Sequence, residues 1–276
     1  LDQASGVAAA LHAGVRALDL AGGPVTVSLG VCDLATAGSA EQLVRLADGA
    51  LYWAKANGRD AVCTYRPGQV LDLSAEARAE RVERANRLRA VQSLARAVDA
   101  RDPATRLHSD RVAALASRLA RQIGWSEADI ERLREASLVH DIGKIAVPDD
   151  VLHKPGRLTA EEYEIVKVHA AKGAEIVEDT LDPEQVAWVR HHHERHDGRG
   201  YPDAIAGAAI PLGARILAVA DSWDVMTSAR PYSAAMPASD ALDECRRCAG
   251  AQFAPEVVAA LERLLDELEQ PLASTG

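Results

Sequence analysis

A mainly α-helical bundle with a small α/β segment at its N-terminus is predicted by three observations. Strand-like, β-branched runs are confined to the first 65 residues. From about residue 74 onward, apolar residues recur at three- and four-residue spacing, the period of a helix with one buried face. Helix-start signals punctuate that second region: Ser126 with Asp129, Thr159 with Glu162, Asp182-Pro183 and Ala254-Pro255.

Taken in order, "DQASGVAAALHAGVRALDL" is an Ala/Leu-rich helix and "PVTVSLGVC" (24–32) a strand. Residues 40–58 form a helix with Leu43, Leu46, Ala50 and Trp53 on one face, closed by Gly58. "AVCTY" (61–65) is a second short strand, and "RPGQ" (66–69) is the turn where the first domain, residues 1–68, gives way to the second, 69–276. A long charged helix follows over 74–100, with a narrow stripe at Val82, Ala85, Leu88, Val91, Leu94 and Val98. That stripe could pack on a domain or pair with a second chain as a homodimer seam.

The chain has 276 residues, enough for one large or two modest domains, and a formal net charge of −10. Such a charge argues against a nucleic-acid-coating surface, so any phosphate-bearing substrate needs local positive charge, which bound metal ions can supply. No apolar run approaches the ~20 residues that span a bilayer. The N-terminus lacks a basic segment and a cleavage-like site, so no signal peptide is expected. Cys32, Cys63, Cys245 and Cys248 read as reduced thiols, "CRRC" included, and a cytoplasmic location is expected. The chain begins with Leu and reads as a piece of a longer protein, in which a missing N-terminal region could tether it to a membrane.

The polar residues on the apolar faces carry the chemistry. His108 lies four residues before Val112 on the stripe Val112, Leu115, Leu119, Ile123. Ile130, Leu133 and Ala136 lead by helical spacing to His140, with Asp141 next and Lys144 one turn on. Val166, His169, Gly173 and Ile176 share a face, and Leu217 precedes Asp221 by one turn. Any one of these could be a hydrogen-bonded core histidine or a capped aspartate. Four helices each burying an imidazole or carboxylate without a partner would cost several kcal/mol per group, and a shared metal centre resolves that cost. Imidazoles and carboxylates without thiolates suit iron, manganese, cobalt, nickel or zinc, and a carboxylate can bridge two ions for in-line attack on phosphorus. Four of the nine histidines also crowd into "HHHERHDGRGYP" (191–202).

"HDIGK" (140–144), "HHERHDGRGYP" (192–202) and "VAD" (219–221), with "HSDRV" (108–112), "VPDDVLHKPGRLTAEE" (147–162) and "MTSARPY" (226–232), closely resemble the HD-GYP domain family over about residues 90–262. The resemblance implies an HD-type metal-dependent helical bundle that hydrolyses cyclic di-GMP to pGpG and, in some members, GMP, through a hydroxide shared by two ions, most often iron or manganese. It assigns His108, His140, Asp141 and Asp221 to one metal and His169, His192 and His193 to the other, with Asp141 bridging. Lys144 matches the lysine on the substrate phosphate, and Tyr201 and Arg230 match positions that hold the guanine nucleotide. In that register Glu194 fixes His192 and His193 as ligands and leaves His191 and His196 as bystanders. His12 and His153 are discounted as surface or loop residues.

Two departures bear on the expectations. Ala104 stands where some members carry a third-metal glutamate, which points to two metals, and Ser233 stands where a basic phosphate contact is common. Residues 1–65 are similar to the C-terminal half of a GGDEF domain, in "VTVSLGV" and "LADGALYWAKANGRDAV", with Lys55 and Arg59 at phosphate-contact positions. The signature loop is absent, so no cyclase activity is expected. A non-catalytic cyclic di-GMP sensor, or a phosphodiesterase for another cyclic dinucleotide such as cyclic GMP-AMP, are the alternatives.

Overall fold

The computed structural model describes residues 2–18, 25–56, 59–66, 75–101, 108–228 and 235–269. The chain divides into two compact units, 1–84 and 85–276. The division falls inside a helix, whereas the turn expected near residue 68 lies partly outside the described residues.

In the first unit, α1 (Asp2–Arg16), β1 (Leu29–Val31), α2 (Leu34–Ala37), α3 (Ala40–Ala56) and β2 (Val62–Thr64) form a small α/β layer. The two strands run parallel, pairing Leu29 with Val62, Gly30 with Cys63 and Val31 with Thr64. The strand expected over 24–32 is therefore shorter. A strand extends only as far as its partner, and β2 supplies three residues. On α3, Leu46, Ala50 and Ala54 are buried while Trp53 is exposed. His12, expected at the surface, is half-buried and pairs with Asp60 at 2.8 Å.

The second unit is an all-helical bundle. The helix α4 (Ala75–Arg101) enters it, and its inward face is Leu88, Val91, Ala95 and Val98 rather than the expected stripe, since Val82 and Leu94 are exposed. Then come α5 (His108–Ile123), α6 (Glu127–Ser137), a 3-10 helix (Ile142–Ala146), α7 (Asp149–Leu152), α8 (Ala160–Val177) and α9 (Pro183–His191). They are followed by α10 (Leu212–Thr227), α11 (Ala238–Arg247) and α12 (Pro255–Glu269). The core gathers Leu119 of α5, Leu133 of α6, Trp188 of α9, Leu217 of α10 and Leu261 of α12, all fully buried. Each such side chain stabilises the fold by roughly 1.5–3 kcal/mol. No helix among the described residues is long and apolar enough to cross a membrane.

The caps behave as their chemistry dictates. Thr159 accepts from Glu162 N while the Glu162 carboxylate accepts from Thr159 N, a reciprocal pair. Asp182 does the same with Gln185 ahead of Pro183. At Ser126 the box is incomplete, because the shorter Asp129 side chain accepts from the Ser126 hydroxyl instead of reaching the backbone. The sequence also predicts that helix 127–137 carries on through His140. In the structure it ends at Ser137, and His140 and Asp141 stand in the turn before the 3-10 helix.

Candidate metal centre

That turn is held against α8 by Gly143. A Cβ there would stand 2.0 Å from the carbonyl oxygen of His169 and 2.4 Å from the amide of Gly173, so only glycine allows the 3-10 helix to lie against α8. The close approach sets His140 and Asp141 facing His169. On the next helix, His192 is the C-cap of α9 and His193 follows, so the chain turns at the point where two neighbouring imidazoles are presented together. The following loop is drawn tight at Gly200, where a Cβ would meet Arg195 N at 2.3 Å.

The seven expected ligands gather into two groups. Asp141, His169, His192 and His193 form one, and His108, His140 and Asp221 the other. Within each, the donor atoms lie within 4.8 Å of one another. Asp141 faces both ways: Oδ1 is 3.4 Å from His169 Nε2, while Oδ2 is 3.5 Å from His140 Nε2 and 4.0 Å from His108 Nε2. His108 Nε2 lies 3.2 Å from Asp221 Oδ1.

Three of the imidazoles are held the same way. Nδ1 of His140, His169 and His192 donates to the carbonyl three residues back, at Ser137 (2.8 Å), Val166 (2.7 Å) and Val189 (2.6 Å). This bond fixes the tautomer and leaves the Nε2 lone pair aimed into the centre. Those three Nε2 atoms are buried and have no hydrogen-bond partner among the described residues. Buried polar atoms are ordinarily satisfied, and three converging orphans fit a cation that accepts their lone pairs.

The electrostatics agree for most of the set. Burial pulls His169 and His192 down, and His193 to about 3 with His169 beside it, so all three are neutral donors near pH 7. Burial pushes the Asp141 carboxyl up, but the Lys144 ammonium, 2.6 Å from Oδ2, together with the His140, His169 and His192 imidazoles around it, more than offsets this and holds it well below the usual carboxylate range. Asp221 is likewise held down against burial by its bond with His108 and by the neighbouring His140 and His193 imidazoles. Metal ligation requires these protonation states. His108 is the exception. Burial lowers it, but hydrogen bonds to Asp221 and Asp224 reverse the balance and raise it to about 9.

Asp224 is a candidate site residue that the sequence reasoning missed. It lies one turn beyond Asp221 on α10, accepts from His108 Nδ1 at 2.7 Å, and is gripped by the Arg111 guanidinium. It orients His108 as the backbone carbonyls orient the other three. Asp99 of α4 was also passed over. It is buried and accepts from the hydroxyl of Ser109, the residue after His108, at 2.6 Å.

Tyr201 stands at the rim, its ring 4.9 Å from that of His193 and 6.3 Å from that of His169. Burial pushes its hydroxyl up, so it stays a neutral phenol. The turn that carries it is tied down by Asp203, whose amide donates to the buried Glu194 carboxylate and whose own carboxylate accepts from Arg190 and pairs with His191 Nε2 at 2.9 Å. His191 is thus drawn outward to Asp203, away from both donor groups. Arg230, Ala104 and Ser233 lie outside the described residues.

The bundle and its donor set define a helical domain whose inward histidines and aspartates could hold metal. A family model for the HD domain matches residues 92–257, and the chain belongs to that family. It is 42% identical over 184 residues to the cyclic di-GMP phosphodiesterase response regulator RpfG of Xanthomonas campestris, covering 64% of this chain and 48% of that protein. It is 38% identical over 180 residues to the 3'3'-cGAMP-specific phosphodiesterase 2 of Vibrio cholerae, covering 64% of this chain and 34% of the relative. The chain therefore spans about half the length of its relatives, or less. The fold is shared with a crystal structure of cyclic GMP-AMP specific phosphodiesterases in V. cholerae, at a TM-score of 0.50 and 19% identity, over 65% of this chain and 48% of that one.

Proposed function

We propose that this chain is a metal-dependent cyclic dinucleotide phosphodiesterase of the HD-GYP kind, hydrolysing cyclic di-GMP to pGpG, GMP or both. The observation that carries the reading is the split of Asp141, one carboxylate oxygen toward His169 and the other toward His140 and His108. That arrangement fits two divalent ions, for which the imidazole and carboxylate donors suit iron or manganese, and Asp141 would serve both. His108, His140 and Asp221 would hold one, and His169, His192 and His193 the other. When bound, such a pair supplies a water made nucleophilic near neutral pH and Lewis-acid charge for the phosphoryl group.

The chain's own residues do the rest. Lys144 stands beside the shared carboxylate with its side chain partly open to solvent, where it can carry positive charge to a phosphoryl oxygen. Such local charge is what a chain of net charge −10 needs to hold a dianionic substrate. Tyr201 presents an aromatic face and a neutral hydroxyl to the nucleotide, and Arg230 is retained as a second nucleotide contact. The first unit is read as a GGDEF remnant without cyclase activity.

A second substrate, 3'3'-cGAMP, is favoured by the name of the V. cholerae relative. Both candidates carry a guanylate half. Product analysis of the iron- or manganese-loaded protein with each dinucleotide decides between them. Turnover of neither sinks the enzymatic reading and leaves a sensor. Asp141→Asn should abolish turnover in an enzyme and need not weaken a pure binder.

A further inference from the structure

Beyond the metal ligands, one line of side chains runs outward from the centre along α8. The ring of Tyr163 stands edge-to-face with Tyr201, centroids 6.3 Å apart and planes at 84°. The Lys167 ammonium sits in the angle between them, 4.9 Å from the Tyr163 centroid and 5.8 Å from that of Tyr201. Tyr163 and Lys167 are one turn apart on α8, so both face the same side of the helix as it approaches His169. Tyr163 is 46% exposed, which leaves part of its ring open to a ligand. Among the described residues, the ion pair of Lys167 is with Glu164, at 2.6 Å and i,i+3 spacing, with Glu164 well exposed. A pair of that kind holds weakly and is readily given up to a better partner.

We infer that Tyr163, Tyr201 and Lys167 form a purine-recognition corner in which Lys167 selects guanine. The inference rests on the phosphodiesterase reading and deepens it by assigning base specificity. Two perpendicular rings let a planar base stack on one while its edge meets the other, an arrangement aromatic pairs favour. Stacking is tolerant of base identity, because every base has a π-face, so it gives affinity without choice. The choice comes from the lysine. Guanine offers O6 and N7 as adjacent acceptors, whereas adenine offers N7 beside an N6 amino donor, which faces an ammonium with like polarity. The flexible four-carbon stem of Lys167 lets the ammonium swing from the aromatic angle to the base edge when a base occupies its place. The corner therefore requires at least one guanine, a requirement that cyclic di-GMP and 3'3'-cGAMP both meet and cyclic di-AMP does not.

The test is steady-state hydrolysis of cyclic di-GMP, 3'3'-cGAMP and cyclic di-AMP by the metal-loaded protein and by Lys167→Met, Lys167→Arg and Tyr163→Ala. Lys167→Met should raise KM for the two guanine-containing substrates about tenfold with little change in kcat. It should also shrink their advantage over cyclic di-AMP by a similar factor. Lys167→Arg should restore most of the preference, and Tyr163→Ala should raise KM for all three alike. An equal loss on all three substrates in Lys167→Met would place the lysine on a phosphate and overturn the inference, as would an unchanged substrate ratio. Absence of turnover by the unsubstituted protein on every substrate would instead overturn the phosphodiesterase reading together with the inference drawn from it.

Discussion

Gly143→Ala is the substitution that tests most directly how the fold makes the site. The added Cβ would lie 2.0 Å from the His169 carbonyl oxygen and 2.4 Å from the Gly173 amide. Ordinary contact needs about 3.5 Å. The 3-10 helix and α8 would therefore have to part by roughly 1.5 Å, since neither obstacle is a side chain that could rotate away. Overpacking commonly costs about 1–3 kcal/mol, and a clash between two backbones belongs at the upper end. For a unit of this size, 1 kcal/mol moves the midpoint by about 2–4 °C, so the melt should fall by about 6–12 °C. The functional effect is larger. Asp141 lies two residues before Gly143, and the clashing carbonyl belongs to His169, so the same shift separates Asp141 from His169. Catalytic and metal constellations tolerate about 0.5 Å. Bound metal should therefore drop sharply even at temperatures where the variant is folded. Thermal melts by circular dichroism and elemental analysis of the folded fraction give the two readouts. A variant that melts within about 1 °C of the parent and keeps its full metal content would refute the claim that this contact positions the centre.

Asp224→Asn should weaken metal binding about 10- to 100-fold, as loss of a ligand's orienting partner does, measured by chelator competition; unchanged affinity would mean that Asp224 merely anchors Arg111. His191→Ala should leave metal content intact, because its Nε2 is turned toward Asp203, whereas His193→Ala should lower it. Burial pushes the Cys245 thiol up to about 12. The folded protein therefore holds this proton more tightly than an unfolded chain with an ordinary thiol near 8.5. Its contribution is present below about pH 8.5 and lost as the pH rises toward 12. Urea midpoints at pH 8 and pH 10.5 should fall further for the parent than for Cys245→Val, and equal declines would contradict that assignment.

Most of the candidate metal centre was legible because metal ligands would sit on buried faces, and buried faces are periodic. His108, His169 and Asp221 follow from helical spacing alone. His192 and His193 needed the family register of Glu194, since spacing cannot choose among three adjacent histidines. Asp224 escaped notice because a carboxylate near a helix end, in "DSWDVM", looks like a solvated one until Arg111 and His108 are brought to it from another helix. The end of α6 at Ser137 was invisible for a related reason. The apolar period continues through the turn, so His140 lands inward whether or not the backbone remains helical. The stripe on α4 went wrong at Leu94 because alanine can fill a close helix contact, and it is Ala95 that is buried. His12 found Asp60 across a fold that no local pattern encodes. Gly143 stood in plain view within "HDIGK", but its reason for being glycine lies 26 positions away, at His169.

The histidine bonds join two problems that are usually solved apart. A helix leaves its last four carbonyls without amide partners, and they must be satisfied. Ser137 is the last residue of α6 and Val189 lies in the final turn of α9, and their carbonyls accept from His140 Nδ1 and His192 Nδ1. Each imidazole thus helps to close a helix with one nitrogen and offers the centre the other. The same termini point the negative ends of two helix dipoles toward the place where cations would sit. Replacing either histidine by asparagine, which is short and lacks a second ring nitrogen in line with the first, would expose a helix end and remove a donor together. Loss of metal and loss of stability should therefore be coupled at His140 and His192. They should be separable at His193, for which no backbone bond of this kind is seen among the described residues.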